Sequence, residues 1–154
     1  MANLFPAIIL LAEDDEDDVT LFRAVLQEIA PHAELRRAKD GEQLMHMLNE
    51  QTLPDILFLD VMMPCKDGRQ CIQEIRADTT FDKLPVVVYS YLTDPEMANF
   101  FYENGANAFM HKPYSFERLA GLLKNIFEDT SSLLTNKPYH SYLLNAKDAK
   151  EQAG

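Results

Sequence analysis

The sequence predicts an α/β fold: a doubly wound parallel sheet with helices on both faces. Three observations lead there. Short, nearly continuous apolar runs recur along the chain, as strands covered on both faces require. Segments with a helical apolar period separate them, and prolines fall at the junctions. The β-α alternation repeats five times over residues 7–128, and alternation at these lengths implies right-handed crossovers between parallel strands.

The elements follow in order. Residues 8–12 (IILLA) form the first expected strand, and Val19, Phe22, Val25, Leu26 and Ile29 share one face of the helix after it. Residues 33–38 (AELRRA) alternate poorly and suit an edge strand; Leu44, Met45 and Leu48 mark the second helix. Residues 56–59 (ILFL) and 86–89 (VVVY) are continuous apolar strands, and 108–110 (AFM) is a weaker fifth. Cys71, Ile72 and Ile75 mark a short third helix. Asp94-Pro95 begins a fourth with a capping carboxylate before a first-turn proline. Ser115 caps a fifth carrying Phe116, Leu119, Leu123, Ile126 and Phe127. Pro31, Pro54, Pro85 and Pro113 all lie at expected boundaries. The expected division is one domain over residues 1–128 and a tail over 129–154 that forms no separate domain. That tail is polar apart from an apolar patch, Tyr139 to Leu144, and is either mobile or docked.

Composition narrows the function classes. A chain of 154 residues with 47% hydrophobic and 25% charged residues suits one compact domain. Apolar stretches are too short for a membrane span, and the N-terminus lacks a basic region with a cleavage site, so a cytoplasmic protein is expected. The net charge of −11 disfavours nucleic acid and favours bound cations or basic protein surfaces. Cys65 and Cys71 match no common zinc or redox spacing and are expected reduced. His32, His46, His111 and His140 show no metal-ligand spacing and are given no role.

In doubly wound sheets, ligands bind beyond the carboxyl ends of the strands. After the first strand come Glu13, Asp14 and Asp15; the third ends in Asp60, the fourth in Ser90, and the fifth reaches Lys112. The expected site is therefore acidic, with a single cation. Carboxylates about 4 Å apart near a protein surface repel by roughly 4 kcal/mol, so such a cluster is well suited to a dication. Magnesium prefers oxygen ligands, keeps several waters and needs only a few carboxylates. Lys112 and Ser90 face it as groups for phosphoryl oxygens. Asp15, Asp17 and Asp18 read as charges favoured by a helix N-terminus, and Gly68 and Gly105 as turn residues.

The stretches "LLAEDD", "DILFLDVMMPCKDG", "LPVVVYS" and "GANAFMHKPYS", in this order after four strands, carry a resemblance. The chain resembles the receiver domain of two-component response regulators over residues 7–128. The resemblance implies a flavodoxin-like (βα)5 architecture with five strands in the order 2-1-3-4-5. It also implies phosphoryl transfer from a sensor histidine kinase or phosphotransfer protein to Asp60, with Mg2+. On this reading Asp14 ligates the metal directly and Glu13 through water, while Asp60 is both acceptor and ligand. The backbone carbonyl of Met62 supplies a further oxygen. Ser90 is the switch hydroxyl, Lys112 the phosphoryl-binding lysine and Phe109 the switch aromatic, with a cis bond before Pro113. Tyr91 and Met62 are bulky beside the acceptor and suggest slow self-dephosphorylation.

The expected protein is a phosphoacceptor rather than a turnover enzyme. It signals to a protein partner through a phosphorylation-dependent surface change, or passes phosphate onward in a relay. Residues 129–154 are too few for an output module. A monomer or weak homodimer is expected, with no nucleic-acid or membrane partner. Two rivals fit less well. A magnesium-dependent phosphohydrolase needs a second Asp two residues after the nucleophile, where Met62 stands. A flavodoxin-like cofactor binder needs a Ser/Thr/Gly-rich loop after the first strand, where this chain has acid.

Overall fold

Continuous apolar strands can bury both faces only if helices cover each side, and that is the architecture found. The structure, a computed structural model, describes residues 5–135 and 137–144. Strand β1 (Ile8–Ala12) leads into helix α1 (Glu16–Ile29), then β2 (Glu34–Ala38) and α2 (Gly41–Glu50). Strand β3 (Ile56–Leu59), helix α3 (Gly68–Ala77), strand β4 (Val86–Ser90) and helix α4 (Pro95–Glu103) follow. The repeat ends with β5 (Ala108–His111) and α5 (Phe116–Glu128). All five expected strands are present, and β2 lies at one edge as its poor alternation implied. No helix among the described residues is long and apolar enough to cross a membrane.

Side-chain alternation along the strands divides the core in two. Ile9, Leu11, Phe58, Val87, Tyr89 and Met110 pack beneath α1 and α5. Leu10, Leu57, Leu59, Val86, Val88 and Phe109 pack beneath α2, α3 and α4. Each long helix begins with a capping side chain: Asp15, Asp40, Asp67, Asp94 and Ser115 all accept from first-turn amides. A cap of this kind contributes about 1 kcal/mol. The α3 cap is reciprocal, with Gln70 returning a bond to the Asp67 amide.

Two features differ from expectation. The sheet has six strands, in the order β2-β1-β3-β4-β5-β6. The sixth comes from the tail: a short helix α6 (Tyr139–Tyr142) runs into β6 (Leu143–Leu144), which pairs in parallel with Phe109 and Met110. The physical reason is the open edge of β5, whose unpaired backbone groups invite another strand, together with Tyr142. That ring is fully buried against Tyr102 and Phe109, and its hydroxyl donates to the Ala98 carbonyl at 3.1 Å. The apolar patch of the tail is thus docked; residues 145–154 lie outside the described residues. Second, every peptide bond among the described residues is trans, including the one before Pro113, in keeping with the trans preference of about 0.5–1 kcal/mol that X–Pro bonds retain.

At the opposite end of the sheet from the acidic cluster, Arg76 fastens two connections, α3–β4 and α4–β5. Its guanidinium donates to the carbonyls of Phe81, Leu84 and Gly105 and to the Asn107 side chain, all at 2.7–2.9 Å. Asn107 in turn accepts from the Val86 amide, which ties the start of β4 to the start of β5.

Candidate functional site

Strand register decides which side chains meet. Ala12 is level with Leu59, so the residues that follow them, Glu13 and Asp60, leave the sheet side by side. Ser90 is level with His111, which puts Lys112 next in the same row. The exits are held by backbone bonds: the Asp60 amide donates to Ala12, the Lys112 amide to Ser90 and the Glu13 amide to Ala38. Gly68 permits the turn after β3 to close on this row. A Cβ there would stand 2.5 Å from the Asp60 carbonyl oxygen, so only glycine lets α3 approach so near.

The carboxylates of Glu13, Asp14 and Asp60 each offer an oxygen within 4.8 Å of the others. Glu13 is fully buried, Asp60 is 6% exposed and Asp14 faces solvent. Lys112, 2% exposed, reaches into the group. Its Nζ donates to Glu13 Oε1 in a close contact and to Asp18 Oδ2 at 3.0 Å, and lies 3.4 Å from Asp60 Oδ2. The other Asp60 oxygen accepts from the Val61 amide at 2.8 Å. One oxygen of the Asp60 carboxylate is therefore held by backbone and the other turned toward the ammonium.

The electrostatics combine burial with a pocket that holds more carboxylate than cation. Burial, followed by the hydrogen bond to Asp60, raises Glu13 from its usual 4.5 to about 8, against the pull of Lys112. Burial pulls the Lys112 ammonium down, but Asp60, Glu13 and Asp18 outweigh it and hold it above its ordinary value. Three hard oxygen donors at this spacing fit a divalent cation of the magnesium or manganese kind.

The structure brings together five of the residues expected here: Glu13, Asp14, Asp60, Ser90 and Lys112 all stand at the carboxyl edge. The Ser90 hydroxyl is 1% exposed and accepts from the Leu92 amide at 3.1 Å. Met62 follows Asp60 on the loop with its side chain 66% exposed. Phe109 lies on the α4 face, already buried, with the Phe101 and Tyr142 rings each 6.4 Å away.

Two residues play parts that their sequence positions did not announce, and Tyr91, expected only as a bulky neighbour of Asp60, has definite partners. Asp18 is more than a helix-terminal charge, because it binds Lys112 directly. Lys112 is not the only cation. Arg37 on β2 donates to the carbonyls of Glu13 and Asp14 and pairs with Glu16, cradling the acidic turn by its backbone. The basic pair in AELRRA was the available signal for it. Tyr91 lies over Lys112, its ring centroid 4.9 Å from Nζ.

A sheet edge of this topology, with an acidic cluster, a facing lysine and a buried serine hydroxyl, defines a class: phosphoacceptor signalling modules. The chain belongs to the response regulator receiver domain family, whose model matches residues 9–124. Response regulator Rcp1 of Synechocystis sp. is 31% identical over 129 residues, covering 79% of this chain and 86% of Rcp1. The probable C4-dicarboxylate response regulator DctR of Bacillus subtilis is 32% identical over 116 residues, covering 75% of this chain. That match spans only 50% of DctR. Among solved structures, the phosphorylated cyanobacterial phytochrome response regulator RcpA superposes with a TM-score of 0.75 at 29% identity. The alignment covers 84% of this chain and 96% of RcpA. The Mn2+-bound form of Rcp1 superposes with a TM-score of 0.72 at 28% identity, covering 86% of this chain and 99% of Rcp1.

Proposed function

We propose that this receiver accepts a phosphoryl group on Asp60 and signals by the change of shape that follows. The observation that carries the reading is the placement of the Lys112 ammonium 3.4 Å from an Asp60 oxygen, beside three clustered carboxylates. The donor is a phosphohistidine on a sensor kinase or phosphotransfer protein. An Asp60 oxygen attacks phosphorus in line, the P–N bond breaks, and the imidazole leaves with the electron pair. Lys112 shifts from its carboxylate partners toward the phosphoryl oxygens, stabilising their charge.

Glu13, Asp14 and Asp60, with the Met62 carbonyl, would hold Mg2+. When bound it neutralises charge on the phosphoryl oxygens. Ser90 then exchanges the Leu92 amide for a phosphoryl oxygen and draws the β4–α4 loop inward. Phe109 and the Tyr142 ring packed over it lie next to that loop, so repacking there changes the α4–β5 surface offered to a partner. The chain acts in the cytoplasm by binding a downstream protein rather than by turning over a substrate.

Intact-mass measurement tests the proposal. Incubation with Mg2+ and a small acyl-phosphate donor should add one phosphoryl group to the wild type and none to Asp60→Asn. A label that persists in Asp60→Asn would put the acceptor elsewhere.

A further inference from the structure

The mouth of the pocket is roofed by an arrangement that the phosphoryl chemistry itself does not require. Tyr91, the first residue after β4, is held at three points. Its hydroxyl donates to Asp18 Oδ1 at 2.8 Å. Its ring stacks on Tyr114 with centroids 5.0 Å apart and planes 21° from parallel. Its carbonyl lies 3.1 Å from His111 Nε2. The other Asp18 oxygen binds Lys112 at 3.0 Å. One carboxylate on the first turn of α1 thus grips both the phosphoryl-binding ammonium and the aromatic residue above it. Three separate segments, the start of α1, the β4–α4 loop and the β5–α5 loop, are clasped beside Lys112.

We propose that Asp18 is a positioning residue that locks Tyr91 as a lid over Lys112, and that this clasp sets how long a phosphoryl group survives on Asp60. The inference rests on Asp60 being the acceptor. Loss of the group requires a water to reach phosphorus from the side opposite the Asp60 oxygen. The water oxygen forms a new P–O bond, the bond to Asp60 breaks, and the carboxylate returns with its electron pair as inorganic phosphate departs with the water's proton. The Tyr91 ring lies 4.9 Å from Nζ, beside the ammonium that takes the phosphoryl oxygens, and in this proposal it screens phosphorus from that water. Held only by its stacking on the exposed Tyr114 ring, it would swing clear; the bond to Asp18 prevents this.

The experiment compares phosphoryl loss, by intact mass after donor removal, in wild type, Tyr91→Phe, Asp18→Ala and the double variant. Tyr91→Phe deletes one oxygen from a rim side chain and leaves the ring, so folding is preserved. Each single change should speed loss by about 3- to 10-fold, the range for one hydrogen bond. The double variant should be no faster than Asp18→Ala alone, because that change already breaks the contact that Tyr91→Phe removes. Independent loosening of the fold would instead multiply the two effects. Unchanged or slower loss in Tyr91→Phe, or multiplicative effects in the double variant, would overturn the proposal. A wild type that takes no label at all would instead count against the Asp60 reading.

Discussion

Replacing Lys112 by Met keeps the length and apolar stem of the side chain and removes only the charge. In the folded protein that charge serves Glu13, Asp18 and Asp60, two of them buried. Removing one partner of a buried ion pair costs about 3–5 kcal/mol, because the remaining charge is left without compensation. The low end applies here, since Glu13 already sits near 8 and can take up a proton instead of staying ionised. A loss of about 3 kcal/mol at roughly 2–4 °C per kcal/mol lowers Tm by about 10 °C. Thermal melts followed by circular dichroism in EDTA measure this directly. Magnesium should then narrow the gap, because the variant lacks the ammonium that competes for these carboxylates and binds the dication more tightly, each tenfold in affinity being worth about 1.4 kcal/mol. Should the variant melt at or above the wild type in EDTA, the ammonium is not what holds the acidic cluster together, and the electrostatic reasoning fails.

Further outcomes follow from the same structure. Because the folded pKa of Glu13 stands above its unfolded value, its contribution to stability is present below about 4.5 and lost as pH rises through about 8. In metal-free protein, Glu13→Gln should therefore gain stability relative to wild type across that window; a gap that stays constant with pH would exclude it. Tyr142→Ala should cost about 2–3 kcal/mol, below the 3–5 kcal/mol for truncating a buried aromatic, because α6 and β6 can lift off as a unit. Hydrogen exchange should show Leu143 and Leu144 losing protection while Val87 and Val88 in β4 keep theirs; loss at both together would mean the tail is part of the central core. Asp60→Asn should abolish labelling by the acyl-phosphate donor without disturbing the circular dichroism spectrum.

The sequence by itself determined the five strands and helices of the repeat, the row of polar and charged groups at the strand ends and two of the helix caps, Asp94 and Ser115. These are local properties: apolar runs, helical spacing and the residue next to each strand end need no knowledge of distant partners. It left the tail undecided between mobile and docked, because two leucines and two tyrosines carry no sign of the edge they will meet. Only the tertiary structure decided that this patch adds a sixth strand, closing the edge beside Phe109. The same holds for the roles of Asp18 and Arg37 and for the partners of Tyr91. Asp18 meets residues 94 and 73 positions away, a pairing set by how α1 packs against the ends of β4 and β5. Its place in a run of acids gave a sufficient local reason for the charge, the helix dipole, and so concealed the second one. Periodicity reveals which face a residue takes; which side chain waits on that face is a consequence of packing.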